Sequence, residues 1–146
     1  MKPHVLVLDD EPAVARAIKR VLTAAGFEVE AVNDASSARA KLRERVFAVV
    51  ISDERMPEMS GVDFLAECAQ EYPATIRLLL TGYADAQTAA NAVNRAEIFR
   101  LLFKPWSDAE FIAAVREAAW RHSLMDEDEP TVEGPPRDIA EDVEPN

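Results

Sequence analysis

Two hydrophobic periods alternate along the first 125 residues, and this alternation narrows the possible folds more than any other feature of the chain. Five short runs rich in Val, Ile, Leu and Phe stand out: His4 to Leu8, Phe27 to Val32, Phe47 to Ser52, Ile76 to Leu80 and Ile98 to Phe103. The first, third and fourth are nearly continuous in apolar residues, the mark of strands buried on both faces of a parallel sheet. Between the runs the spacing turns helical. Val14, Ile18, Val21, Leu22 and Ala25 fall on one helix face, and Gly26 supplies the stop. Val62, Leu65, Ala66 and Ala69 repeat the pattern between Gly61 and Pro73. The alanine-rich segment from about Ala86 to Asn94 buries little beyond Val93 and should be the least firmly anchored helix. The last helix opens with Ser107 and Glu110 at capping-box spacing and turns Phe111, Val115 and Ala118 inward.

Strand and helix in regular alternation specify an α/β fold: a doubly wound five-stranded parallel sheet with right-handed crossovers, helices on both faces and the flavodoxin-like order 2-1-3-4-5. A chain of 146 residues can bury about two-thirds of its unfolded surface, so it needs no disulfide or metal to fold. One domain over residues 1–124 is expected. From Asp126 to Asn146 nine acids face a single base, Arg137, so -8 of the total charge of -11 lies there. With four prolines and few large apolar side chains, residues 125–146 are expected to form a disordered acidic tail. The acidic balance argues against direct nucleic-acid binding, which needs clustered Lys and Arg. No apolar stretch approaches the ~18 residues of a membrane span. Cys68 is alone and no signal-peptide pattern opens the chain, so a cytoplasmic location is expected.

In open α/β sheets, ligands bind outside the carboxyl ends of the strands, where the strand order reverses. Strand one ends in Asp9, Asp10 and Glu11, strand three in Asp53, strand four in Thr81 and Gly82, and strand five in Lys104 and Pro105. In the order 2-1-3-4-5 the ends of strands one and three are neighbours, so Asp9, Asp10 and Asp53 converge. Three close carboxylates repel, so either one keeps its proton or a cation sits between them. An all-oxygen set without His or Cys selects Mg²⁺ or a similar hard ion. Such an ion clamps phosphoryl groups, and Lys104 and Thr81 add a charge and a hydroxyl to neutralise phosphoryl oxygens. With no Ser, Cys or His in the cluster the nucleophile is a carboxylate, and its product an aspartyl phosphate.

Asp9-Asp10-Glu11, the run from Asp53-Glu54-Arg55-Met56-Pro57 to Gly61, Thr81-Gly82 and Lys104-Pro105 resemble, in order and spacing, the receiver domain of bacterial two-component response regulators, the chemotaxis-regulator-like family. The resemblance spans residues 4 to about 122. It implies Asp53 as phosphoacceptor, assisted by Thr81 and Lys104. It also implies Mg²⁺ held directly by Asp10 and Asp53 and by the backbone carbonyl of Arg55, with Asp9 acting largely through water. A sensor histidine kinase or histidine phosphotransfer protein would be the donor, and an unknown downstream protein the recipient of the signal. Such a domain catalyses only its own phosphorylation and dephosphorylation and is not otherwise an enzyme. The segments Ser52 to Pro57, Thr81 to Tyr83 and Phe103 to Trp106 look like receivers that precede output domains, although no such domain follows here. The family also implies a cis Lys104-Pro105 bond and control of phosphoryl lifetime by Arg55 and Tyr83, with Gly82 leaving access.

Other readings compete. Asp9 and Asp10 could cap a helix before Pro12. A Mg²⁺-dependent phosphohydrolase would want an acid two residues after the nucleophile, where Arg55 stands. A pseudo-receiver working without phosphorylation would have lost one of Asp9, Asp10, Asp53 or Lys104, and none is missing. Cys68 reads as an inert core residue, His4 and His122 carry no role, and Trp106 and Trp120 are packing residues. One departure matters: receivers usually carry Tyr or Phe three residues before the lysine, where this chain has Leu101. Alternation places Phe99, Leu101 and Phe103 on one face of strand five and Arg100, Leu102 and Lys104 on the other. The switch is therefore expected to act through the Ala86–Asn94 helix and to appear on the face it forms with strand five and the last helix, with a homodimer through that face as one consequence.

Overall fold

A computed structural model describes residues 2–82 and 94–125. Its elements are β1 (His4–Leu8), α1 (Pro12–Ala24), β2 (Glu28–Val32), α2 (Ala35–Glu44), β3 (Val49–Asp53), α3 (Gly61–Glu71), β4 (Ile76–Gly82), β5 (Arg100–Lys104) and α4 (Asp108–Met125). The predicted helix at Ala86–Asn94, apart from its last residue, and the acidic segment beyond Met125 lie outside the described residues. The five strands pair in parallel in the order β2-β1-β3-β4-β5, as predicted. No helix among the described residues is long and apolar enough to cross a membrane.

The strands' two-residue period sorts their side chains into two cores. On one face Val5, Val7, Val49, Ile51, Leu78, Leu80 and Leu102 meet Ile18 and Leu22 of α1 and Phe111, Val115 and Ala118 of α4. On the other, Leu6, Leu8, Val50 and Leu79 meet Ala38 and Leu42 of α2 and Phe64, Leu65 and Cys68 of α3. Both helix stripes are rotated from the predicted ones. In α1 the fully buried positions are Ala15, Ile18 and Leu22, with Val14 and Val21 only half covered. In α3 the bulky Phe64 takes the inward position, which leaves Ala66 and Ala69 half-buried. Caps fix where helices start: Asp34 Oδ1 accepts the Ser37 N–H at 2.7 Å and Ser60 Oγ accepts the Asp63 N–H at 3.0 Å. Gly26 ends α1 with φ +105°, a conformation open mainly to glycine.

Strand five needs a correction. It starts at Arg100, so the alternation does not extend back to Phe99, whose N–H instead reaches Arg77 O at 2.8 Å. Phe99 packs with Leu102 on the α1/α4 face, and the Arg100 and Arg121 guanidinium carbons each lie 5.2 Å from its ring centroid. Leu101 alone of the predicted pair Phe99 and Leu101 faces the α2/α3 core, beside Ala96 and Ile98.

The amino-terminal end of the sheet holds a buried cation. Arg77, 6% exposed as the second residue of β4, donates to the carbonyls of Ala96, Glu97, Pro73 and Thr75 at 2.6–3.3 Å. Its second terminal nitrogen lies 3.8 Å from Glu97 Oε1. This knot ties the turn that precedes β4 to the turn that precedes β5.

Candidate functional site

At the opposite end, the last residues of the central strands converge. The register sets Leu8 beside Ser52, Asp53 beside Leu80, Thr81 beside Phe103 and Gly82 beside Lys104. Because β3, β4 and β5 run on to Asp53, Gly82 and Lys104, these residues belong to the sheet itself rather than to loops. Asp9 follows β1 directly, and its N–H is held by Val32 O at 3.1 Å. The strand ends frame a cavity of about 360 Å³ lined by Asp10, Glu11, Asp53, Glu54, Arg55, Thr81, Gly82 and Lys104.

The charges inside it are unevenly matched. Lys104 Nζ stands 2.8 Å from Asp53 Oδ1 and 3.6 Å from Asp9 Oδ2. One oxygen from each of Asp9, Asp10 and Asp53 lies within 4.8 Å of the others. Asp9 is fully buried; its Oδ1 accepts the Glu11 N–H at 2.9 Å, while its Oδ2 is buried without a hydrogen bond. Burial pushes the Asp9 carboxyl above its usual range, with the Glu11 N–H opposing and the Asp53 charge adding. Burial likewise raises Asp53, against the pull of Lys104. At Lys104 burial alone would lower the pKa, but the hydrogen bond to Asp53 and the charges of Asp53, Asp9 and Glu11 outweigh it and raise it. The directions agree once counted by neighbour: Lys104 faces several acids, while Asp9 and Asp53 are buried beside fellow acids as well as Lys104.

The capping alternative for Asp9 and Asp10 fails. The residue at the N-cap of α1 is Glu11, which makes no side-chain cap, and the first turn contains no acid. The loop after Asp53 is closed instead by Glu54, whose N–H meets Leu80 O at 2.9 Å, whose carbonyl accepts the Gly61 N–H at 2.9 Å and whose Oε1 accepts the Val62 N–H at 3.0 Å. Gly61 is packed against the acceptor strand so tightly that a Cβ there would sit 2.2 Å from Asp53 O.

With this arrangement, a family model for the response regulator receiver domain matches residues 5–116. The chain belongs to that family. The hydrogenase transcriptional regulatory protein HoxA of Cupriavidus necator is 36% identical over 121 residues, 83% of this chain and 25% of the relative. The transcriptional regulatory protein FixJ of Bradyrhizobium diazoefficiens is 33% identical over 118 residues, 80% of this chain and 57% of its own length. The receiver chain thus spans about a quarter to a little over half of these relatives. Among solved structures, the signal receiver domain of an HD domain-containing protein from Pseudomonas fluorescens Pf-5 superposes with a TM-score of 0.81 at 34% identity, covering 86% of this chain and 93% of that one.

Every site residue predicted for this receiver borders or adjoins the same cleft: Asp10, Asp53, Arg55, Thr81 and Lys104 line it, and Asp9 lies beneath. The Lys104-Pro105 bond is cis, as the resemblance implies. Among the described residues a Cβ on Gly82 would meet nothing within 4 Å. Tyr83 lies outside the described residues. The donor set fits a hard divalent ion, because it is all oxygen, its members crowd one another, and Asp9 Oδ2 is buried with no donor. Sequence reasoning missed the roles of Glu54 and Gly61 as the clamp on the acceptor loop; the only signal was their place in the run Asp53 to Gly61. It also left Glu11 without a role, whose backbone orients Asp9. Residues assigned to packing behave so. Cys68 is 2% exposed and burial pushes its thiol up to about 12, and the Trp106 ring lies 5.3 Å from that of Phe111.

Proposed function

We propose that Asp53 accepts a phosphoryl group from a sensor histidine kinase or histidine phosphotransfer protein, and that the modification alters a surface read by a downstream protein. The observation that carries this reading is Lys104 Nζ at 2.8 Å from Asp53 Oδ1, inside a cleft that already crowds three acids. A carboxylate oxygen of Asp53 attacks phosphorus as the P–N bond of the donor phosphohistidine breaks, and the leaving imidazole nitrogen keeps that electron pair and takes up a proton. Asp10, Asp53 and the Arg55 carbonyl would hold Mg²⁺, with Asp9 acting largely through water, and the ion when bound would supply charge neutralisation for the phosphoryl oxygens. Lys104 holds the acceptor and then meets the new phosphoryl charge, and Thr81 offers a hydroxyl. In this reading residues 1–124 are the functional unit, and the acidic residues 125–146 take no part in the phosphoryl chemistry.

Incubation with Mg²⁺ and a small phosphodonor tests the chemistry by intact mass. The wild type should gain one phosphoryl group, Asp53→Ala none, and Asp10→Asn should be severely slowed; wild-type uptake by Asp10→Asn would sink the metal assignment. Signal output is proposed to pass through Thr81 and residues 82–104 to the face formed with β5 and α4, where two copies can pair, because Leu101 replaces the usual aromatic yet still packs beside Ala96 and Ile98. Backbone amide shifts on adding a phosphoryl mimic should concentrate in residues 82–104. A response confined to the cleft would mean that Leu101 uncouples the switch.

A further inference from the structure

Helix α1 carries Arg16, Lys19 and Arg20 at spacings of three and four residues, which places them on one face, and all three are exposed. Elsewhere several bases are paired with acids: Arg39 with Glu67, Lys41 with Glu30, Arg77 with Glu97, Arg95 with Asp63, Arg100 with Glu117 and Lys104 with Asp53. Among the described residues the three α1 bases have no ion pair. An uncompensated positive face is unexpected on a chain with a net charge of -11, of which -8 lies in Asp126–Asn146.

The fold brings the start of that acidic segment to the same side of the molecule. Helices α1 and α4 share one face of the sheet, and both run from the carboxyl to the amino end of the strands. Arg116 of α4 donates to Ala25 O, just past the end of α1, at 3.4 Å. Met125 follows Arg116 by nine residues, about 13 Å of helix. The chain beyond Met125 therefore starts near the carboxyl end of α1, and its 21 residues can reach about 70 Å when extended, several times the length of the helix. We propose that the acidic segment Asp126–Glu144 docks in cis on the Arg16-Lys19-Arg20 face of α1. Occupancy is electrostatic, so it fades with salt. The inference stands independently of whether Asp53 is phosphorylated.

The full chain can be tested with a single nitroxide. Buried Cys68, its thiol pushed up to about 12, stays unlabelled in the native protein, so Ala140→Cys gives one labelled position. Amides of α1 around Arg16–Arg20 should be broadened selectively at low salt. The broadening should be lost at about 0.5 M salt, where the Debye length is roughly 4 Å, and in the triple variant Arg16→Glu, Lys19→Glu, Arg20→Glu. The salt titration of the protein with native α1 stands alone if the triple variant does not fold. Broadening that is uniform over the surface, centred on another element, or insensitive to salt would overturn the proposal. So would equal broadening in a mixture of labelled and isotope-enriched unlabelled copies, which would assign the contact to a second molecule.

Discussion

The two ends of the central strands each bury charge, and they treat it in opposite ways. At the amino-terminal end Arg77 is well paired by its own chain, with Nε and Nη1 donating to four backbone carbonyls and Nη2 lying 3.8 Å from Glu97 Oε1. At the carboxyl end Asp9 keeps a buried oxygen without a hydrogen bond, and Lys104 meets both Asp9 and Asp53 inside a crowded cluster of three acids. Burial is the largest influence on both, raising the acids and lowering Arg77. The difference teaches which charge is scaffold and which is chemistry. A buried ion whose hydrogen-bonding capacity is met by its own chain has nothing left to offer a ligand. One left under-satisfied gains most when a cation or phosphoryl group arrives.

Arg77→Met should break the scaffold end and leave the chemical end alone. It strips donors from the buried carbonyls of Thr75 and Ala96, which cost ~1–3 kcal/mol each when unpaired, so a loss of about 2 kcal/mol or more is expected in denaturant titration. The folded fraction should still take up phosphoryl groups at close to the wild-type rate. Asp53→Ala should show the reverse pattern, no uptake with stability little reduced. Equal stability of Arg77→Met and wild type would mean that the knot at the amino-terminal end is dispensable.

Much of this contrast was legible beforehand at one end only. Asp9, Asp10, Asp53, Thr81 and Lys104 announced themselves because polar residues at the ends of apolar runs break a pattern, and the strand order that joins them follows from general rules. Arg77 broke a pattern too, inside the run Ile76 to Leu80. Its role was hidden because its partners are backbone carbonyls of Pro73, Thr75, Ala96 and Glu97, which no side-chain pattern reports. Phe99 was placed on the wrong face because a period-two argument needs the first residue of the strand, and the apolar run starts two residues before the strand does. Gly61 was seen as part of a motif, but the close approach that demands a glycine depends on how α3 packs on β3.

Gly61→Ala sharpens the comparison from the chemical end. Its new Cβ would lie 2.2 Å from the Asp53 carbonyl oxygen and 2.9 Å from Leu79 Cδ1. Backbone cannot yield as a flexible side chain does, so overpacking of about 1–3 kcal/mol is expected. The Asp53 main chain should shift with it, so phosphoryl uptake should fall by more than the folded fraction does. Uptake that simply tracks the folded fraction would show that the acceptor tolerates movement of its own backbone.

The smallest effect belongs to a fourth aspartate near a strand end. Asp34 follows β2 as Asp9 follows β1, yet its carboxylate accepts the Ser37 N–H at 2.7 Å near the surface and lacks the burial that raises Asp9. That hydrogen bond, with only slight opposition from burial, holds its pKa below the ordinary 3.8. A carboxyl with a depressed folded-state pKa adds stability that is present above its unfolded value and is lost as pH falls through the folded one. Asp34 should therefore contribute a shallow acid-side loss confined to pH values near and below 3.8. Asn caps helices nearly as well and does not titrate there. Asp34→Asn should match the wild type at neutral pH and flatten only the acid limb of a stability profile. A difference that is present at neutral pH and vanishes in acid would show that the cap depends on charge and not on the accepted hydrogen bond.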